Sequence, residues 1–242
     1  MFKVVKNRQM ERIMSLTLLA AVLLISCNVK KVTKDDKSKS ETIACRSECV
    51  VIDPGHGGKD PGKVGVSGMK EKDINLSMSM TLRDELKKEG FRVMLTRDSD
   101  RVLNEGSRFS KIGDLNNRCK IINQAYEQNN RTLMISIHQN SFVQNSVHGA
   151  QCFYYQRSEE SRALAEGIQS ELNSKINIER AKKSKPNDSY YILINTKCPG
   201  CIVEFGFLSN PEEERKLTDK SYQQQLSKIL VNCIKKYFER NK

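Results

Sequence analysis

The sequence has no tryptophan, and aromatic residues make up only 6% of its 242 positions. It shows no internal repeat and no long low-complexity tract, which excludes repeat arrays and solenoids. Hydrophobic content is nonetheless 38% and gathers in clear apolar runs, enough for one globular core plus a short tail. Scarce aromatics also weigh against nucleic acid as a partner. The chain is basic, with 41 Lys and Arg against 29 Asp and Glu, but its lysines are scattered and not interleaved with aromatic residues. Histidine is rarer still, with three in the whole chain, and no local H-E-x-x-H zinc signature is present. Histidines placed at special backbone positions therefore matter.

The N-terminus reads as a targeting segment. Lys3, Lys6, Arg8 and Arg12 form a basic region, and residues 15–26 (SLTLLAAVLLIS) form an apolar run too short to span a membrane comfortably. The run ends in Leu24-Ile25-Ser26-Cys27, which fits a bacterial lipobox with Cys27 as the acylated residue. An uncleaved signal anchor and an ordinary secretory signal are the alternatives, and all three predict export. Residues 28–47 are polar, charged and without periodicity, so they are expected to be a tether. Residues 1–27 hold four basic groups and one acid, so the remainder has 37 basic and 28 acidic residues, a net charge of about +9. A basic exported protein suits anionic partners: membrane headgroups, or wall polymers bearing carboxylates and phosphates.

Beyond Cys27, seven cysteines remain at irregular spacing: Cys45, Cys49, Cys119, Cys152, Cys198, Cys201 and Cys233. Cys198-Pro199-Gly200-Cys201 has the C-x-x-C form of a redox site or half a zinc site, but no second such pair accompanies it. A redox role, a local disulfide and plain buried thiols all stay open, as does a pairing of Cys45 with Cys49.

From residue 48 to 242 strand-like and helix-like segments alternate. Strands are expected at 49–53, 91–96, 132–138, 150–155 and 201–207, and helices at 73–88, 115–127, 162–172 and 222–238. Residues 190–194 are short and apolar, while 139–148 and 181–189 are the least structured stretches. This alternation predicts an α/β three-layer sandwich, a mostly parallel central sheet with helices on both faces.

In such sheets, sites form beyond the carboxyl ends of strands. Those ends supply Asp53 and His56, then Thr96, Arg97 and Asp98, then His138, Gln139 and Asn140. The last strand contains Glu204, and Glu71 lies where a carboxylate projects from the first helix's opening turn. Each has a bland alternative. His56 can be a hydrogen-bonded loop residue, His138 a half-buried strand residue, and Glu71 part of a solvated Lys-Glu-Lys-Asp run favoured by the helix dipole. Glu204 is hardest to dismiss, because a carboxylate inside IVEFGF is costly to bury unless paired, protonated or metal-bound. Together His56, Glu71 and His138 form a candidate zinc set, leaving a fourth position for water whose pKa falls to about 7. Glu204 is then the candidate general base. Arg97 and Asn140 are candidates to bind peptide carboxylates or orient a ligand, a structural salt bridge being the alternative for Arg97. His148 is expected off the metal.

The ordered stretches VVIDPGHGGKDPG, EKDINL, MLTRDSD, NNRCKIIN, SIHQNSF and IVEFGFLSNPEE resemble the zinc-dependent N-acetylmuramoyl-L-alanine amidases of the Amidase_3 type. The resemblance covers residues 48–240. It implies that His56, Glu71 and His138 bind zinc and that Glu204 is catalytic. GAQCFYYQRSEESRALAEGIQ, ERAKKSKPNDSYYIL and FLSNPEEERKL are similar to the spore-cortex, germination-specific branch. That likeness implies cleavage of the muramic acid–L-alanine amide in cortex peptidoglycan, permitting muramic-δ-lactam formation together with a separate deacetylase. Phe205 stands where the family often has cysteine. No wall-binding domain is appended, so targeting is expected from the catalytic domain, the lipid or an accessory partner. The implied location is extracytoplasmic and membrane-tethered, in the forespore intermembrane space. A non-catalytic wall-binding lipoprotein and a zinc peptidase cutting within the stem peptide are the rival readings.

Overall fold

The computed structural model describes residues 46–104 and 109–241. The targeting segment, Cys27, most of the expected tether and Cys45 lie outside them. No helix among the described residues is long and apolar enough to cross a membrane.

Six strands form one sheet: β1 (Cys49–Pro54), β2 (Arg92–Leu95), β3 (Thr132–Asn140), β4 (Gln151–Tyr155), β5 (Lys185–Asn187) and β6 (Gly200–Phe207). Their spatial order is β2-β1-β3-β6-β4-β5. Every neighbouring pair is parallel except β4 with β6. Among the described residues six helices cover it: α1 (Glu71–Lys88), α2 (Lys111–Gln128), α3 (Glu159–Lys175), α4 (Tyr191–Asn195), α5 (Pro211–Thr218) and α6 (Lys220–Arg240).

The two faces follow from strand alternation. Val50, Ile52, Leu133, Ile135, Ile137 and Val203 pack with the apolar sides of α1, α3 and α6. Cys49, Val51, Met134 and Ile202 point the other way, against Cys119, Ile122 and Ala125 of α2 and Ile192 and Leu193 of α4. This is the expected three-layer architecture. Along α1, Ile74, Met78, Leu82 and Leu86 recur every fourth residue and are all buried. Glu71, one turn earlier, continues that stripe, so helix phase carries its carboxylate inward. Gly90 stops the helix at φ 81°, with Phe91 N–H donating to Leu86 O.

Three elements differ from the sequence expectation. The stretch 181–189 contains the short edge strand β5, which pairs only with β4. Residues 191–195 close into the single-turn helix α4, which puts Ile192 and Leu193 in the core. Helix α5 was not expected, although its start is chemically explicit. Asn210 caps the N–H groups of Glu212 and Glu213, Pro211 opens the helix, and three glutamates fill its first turn.

Candidate metal centre

Strand β1 runs into a turn whose geometry is set by its neighbours. Gly55 N–H donates to Ile137 O of β3 at 3.0 Å, drawing the turn against that strand. A Cβ on Gly55 would lie 2.2 Å from Cε1 and Nε2 of His138, so only glycine lets the backbone pass that ring. His56 follows at φ 62°, a left-handed conformation that costs a non-glycine residue on the order of 1 kcal/mol. Its ring is fixed by Asp60 Oδ2, 2.9 Å from Nδ1. With Nδ1 engaged, Nε2 faces Glu71 Oε2 at 3.1 Å.

Glu71 is only 2% exposed, yet both its oxygens are occupied. Oε1 meets His138 Nδ1 at 3.0 Å and accepts from Gln139 N–H at 3.1 Å, while Oε2 accepts from Lys63 N–H at 2.9 Å. Burial alone pushes its pKa up, but hydrogen bonds from His138 and His56 outweigh it and hold the carboxyl well below the usual range. Burial likewise opposes protonation of His138, and Glu71 more than compensates, raising its pKa. The imidazole rings lie 5.0 Å apart at 75°. One donor atom each from His56, Glu71 and His138 lies within 4.8 Å of the others, so the group can hold a metal ion. Two imidazoles with one carboxylate suit zinc and related divalent cations.

Glu204 stands beside this group. In the β3–β6 ladder it is the register partner of His138. Its Oε2 is buried and has no hydrogen-bond partner among the described residues. Burial pushes the carboxyl up to about 7, with His138 pulling it down and Glu71 pushing it further up. A carboxyl poised near neutrality next to a metal-binding triad can take and return protons.

Two cavities open from the centre. One of about 260 Å³ is bordered by Leu115, Tyr190, Tyr191 and Ile202, and another of about 290 Å³ by Gly62, Lys63, Gln139 and Asn140. Both touch His56, His138 and Glu204.

Residues 50–236 match the N-acetylmuramoyl-L-alanine amidase family. The chain belongs to this family. A germination-specific N-acetylmuramoyl-L-alanine amidase of Bacillus subtilis is 34% identical over 226 residues, covering 91% of this chain and 92% of that one. The CwlD amidase of Clostridioides difficile, solved in complex with the GerS lipoprotein, superposes with a TM-score of 0.74 at 34% identity, covering 79% of this chain and 98% of that one. The AmiC2 amidase of Nostoc punctiforme superposes at 0.66 with 30% identity, covering 81% and 99%. The chain is thus an enzyme that hydrolyses an amide in peptidoglycan, between N-acetylmuramic acid and L-alanine.

Around the amidase centre, a buried network does work that the sequence does not reveal. Asp53 is a structural acid: it accepts from Thr96 Oγ1 (2.6 Å), Ser136 Oγ (2.7 Å) and Arg118 Nη1 (2.8 Å). Arg118, 2% exposed, also donates to Pro54 O, to His56 O and to Asp114 Oδ2. It therefore ties α2 to the backbone that carries His56. Lys72 is buried too, with Nζ on Gly58 O (2.8 Å) and Asp100 Oδ2 (2.6 Å). Arg118 and Lys72 sit in NNRCKIIN and the Lys-Glu-Lys-Asp run, where helix phase was the available signal.

Of the alternatives for Arg97, the structure favours the orienting one: among the described residues it forms no salt bridge, and it holds the turn that carries His56. It is fully buried and donates to the carbonyls of Pro54, Gly55, Lys72 and Ser99. Burial and the Arg118 charge lower its pKa to about 10. Asn140 lines the outer cavity, its Oδ1 accepting from Ser141 N–H. His148 is exposed and lines a different cavity. Cys198 and Cys201 are free buried thiols, burial pushing the first up to about 12 and the second well above the ordinary thiol range, so neither a disulfide nor a reactive pair forms there. Cys49 has no disulfide partner among the described residues, and its proposed partner Cys45 lies outside them.

Proposed function

We propose that this amidase is zinc-dependent, with His56, Glu71 and His138 as the metal ligands and Glu204 as the general base. The observation that carries the reading is the convergence of the three donor atoms within 4.8 Å, with the unpartnered Glu204 Oε2 in register beside His138. When bound, zinc supplies Lewis acidity toward the lactyl carbonyl and makes water more acidic. Asp60 engages Nδ1 of His56 and so leaves Nε2, turned toward Glu71, as the nitrogen that would bind the metal. The backbone donors to Glu71 hold its carboxylate in place. Glu204 accepts a proton from the attacking water and passes it to the departing alanine nitrogen, which leaves as a neutral amine. The orphan acid also disfavours a non-catalytic scaffold, because binding alone gives no reason to bury it.

The biological setting we propose is cortex peptidoglycan. Similarity to the germination-specific amidase over nine-tenths of both chains supports a role in the maturation that prepares spores to germinate. A wall amidase acts outside the cytoplasm, and we place this one on a membrane through the lipobox at Cys27 and the tether of residues 28–47. The CwlD complex with a lipoprotein supports an accessory protein for this chain as well.

Peptidoglycan digested with the full chain, alone and with zinc, tests the reaction. New free lactyl groups and N-terminal L-alanine are the expected ends. New termini within the stem peptide would instead establish the peptidase reading.

A further inference from the structure

Six side chains border both cavities at the centre: His56, Asp60, Lys111, His138, Tyr190 and Glu204. His56, His138 and Glu204 form the centre itself, Asp60 orients His56, and Tyr190 packs edge-on against Phe153 at 5.5 Å. Lys111 alone has no task in that account. It is exposed, and among the described residues its ammonium has neither a hydrogen bond nor an ion-pair partner.

Its position is electrostatically unfavourable. Lys111 is the first residue of α2, where the helix dipole already presents positive charge and acids are preferred. The acids around it are committed elsewhere: Asp60, whose carboxylate its charge favours, is bonded to His56 Nδ1 through Oδ2 and accepts from Gly62 N–H through Oδ1, while Asp114 one turn on accepts from Arg118 Nε at 2.7 Å and from Leu103 N–H at 2.6 Å. A cation held where its own helix disfavours it, at the meeting of two cavities, is matched to an anion brought by the substrate. The other cations on these walls fit less well. Arg118 is buried in its own ion pairs, and Lys63 borders only the outer cavity. Arg97 borders neither cavity and is spent on backbone carbonyls.

We infer that Lys111 is a specificity-determining residue that binds the first free carboxylate of the stem peptide beyond the scissile bond. The inference rests on the amidase reading. The alanine side of that bond continues into a peptide bearing carboxylates, and a flexible ammonium reaches an anion without demanding one fixed orientation. Cell walls in which that carboxylate is amidated are then poorer substrates.

The test uses the full chain, loaded with zinc, and a matched pair of disaccharide-peptide fragments in which the carboxylate of the residue after L-alanine is free or amidated. The wild type is expected to favour the free acid by roughly tenfold in kcat/KM, mainly through KM, as for one charge-assisted contact at a partly exposed site. Lys111→Met should bring the ratio close to one, and Lys111→Arg should keep most of it. A perturbed helix start would slow both fragments alike and leave the ratio intact, so an unchanged ratio in Lys111→Met overturns the assignment. Cleavage of both fragments at equal rates by the wild type overturns this inference and leaves the amidase assignment standing.

Discussion

His138 and Glu204 are register partners on adjacent parallel strands, so a candidate metal ligand and an unpartnered buried carboxyl share one end of the sheet. Their relationship has a pH signature in the metal-free protein. The unfolded chain ionises Glu204 near 4.5, whereas burial holds the folded carboxyl near 7. Below about pH 4.5 both states are protonated and the carboxyl exacts no penalty. The penalty grows from there to about 7 and is complete above it. Glu204→Gln should therefore stabilise chelator-treated protein at pH 8, by on the order of 2 kcal/mol, and change little at pH 4.5. Urea unfolding at the two pH values checks this, and an equal effect at both would remove the buried-ionisation argument.

Gly55 is where backbone and the ring of His138, a candidate ligand, touch. Gly55→Ala places a methyl group 2.2 Å from two ring atoms of His138, so the ring must shift. Zinc content is expected to fall at least tenfold while the circular dichroism of the sheet persists, since a misplaced ligand typically costs that much in affinity. Full zinc occupancy in this variant would show that the turn tolerates a side chain.

Arg118 holds α2 to the end of β1 through Asp53, and Asp114 one turn earlier on its own helix accepts from its Nε; both ion pairs are nearly inaccessible to solvent. Arg118→Met leaves Asp53 without its counter-charge and should destabilise the fold by about 3–5 kcal/mol at neutral pH. Burial alone raises the Asp53 pKa, but Arg118, Thr96 and Ser136 hold it below the ordinary 3.8. The stability it contributes is accordingly present above about pH 3.8 and disappears as pH falls through the lower folded value. The gap between variant and wild type should narrow on acidification, as measured by denaturant titration.

Cys27 carries the proposed lipid. Cys27→Ala expressed in a lipoprotein-processing bacterium should move the protein from the membrane fraction to the soluble one. Retention in the membrane would point to a signal anchor.

The four residues that the fold brings together at the candidate centre stood out in the sequence because each breaks a local rule. His56 sits in a Gly-Pro turn, His138 ends an apolar strand, Glu71 opens a helix in phase with its apolar stripe, and Glu204 interrupts a buried strand. Their support was not legible in the same way. Arg97 and Arg118 both lie near predicted strand ends or helix faces, and nothing in the spacing tells which meets a carboxylate and which meets carbonyls. Only the turn at residues 54–57, folded back over both guanidinium groups, settles that. Helix α4 escaped because five apolar residues have no resolvable period. By contrast, the Asn210-Pro211 start of α5 carried a readable capping signal.

The central claim is that Glu204 performs proton transfer at a metal held by other residues. Its most direct test is Glu204→Gln, with zinc stoichiometry and release of N-terminal L-alanine from peptidoglycan measured on the same preparation. The account predicts wild-type zinc content and a loss of about 10²–10⁴-fold in kcat. Activity within a few-fold of wild type, with zinc in place, would contradict it.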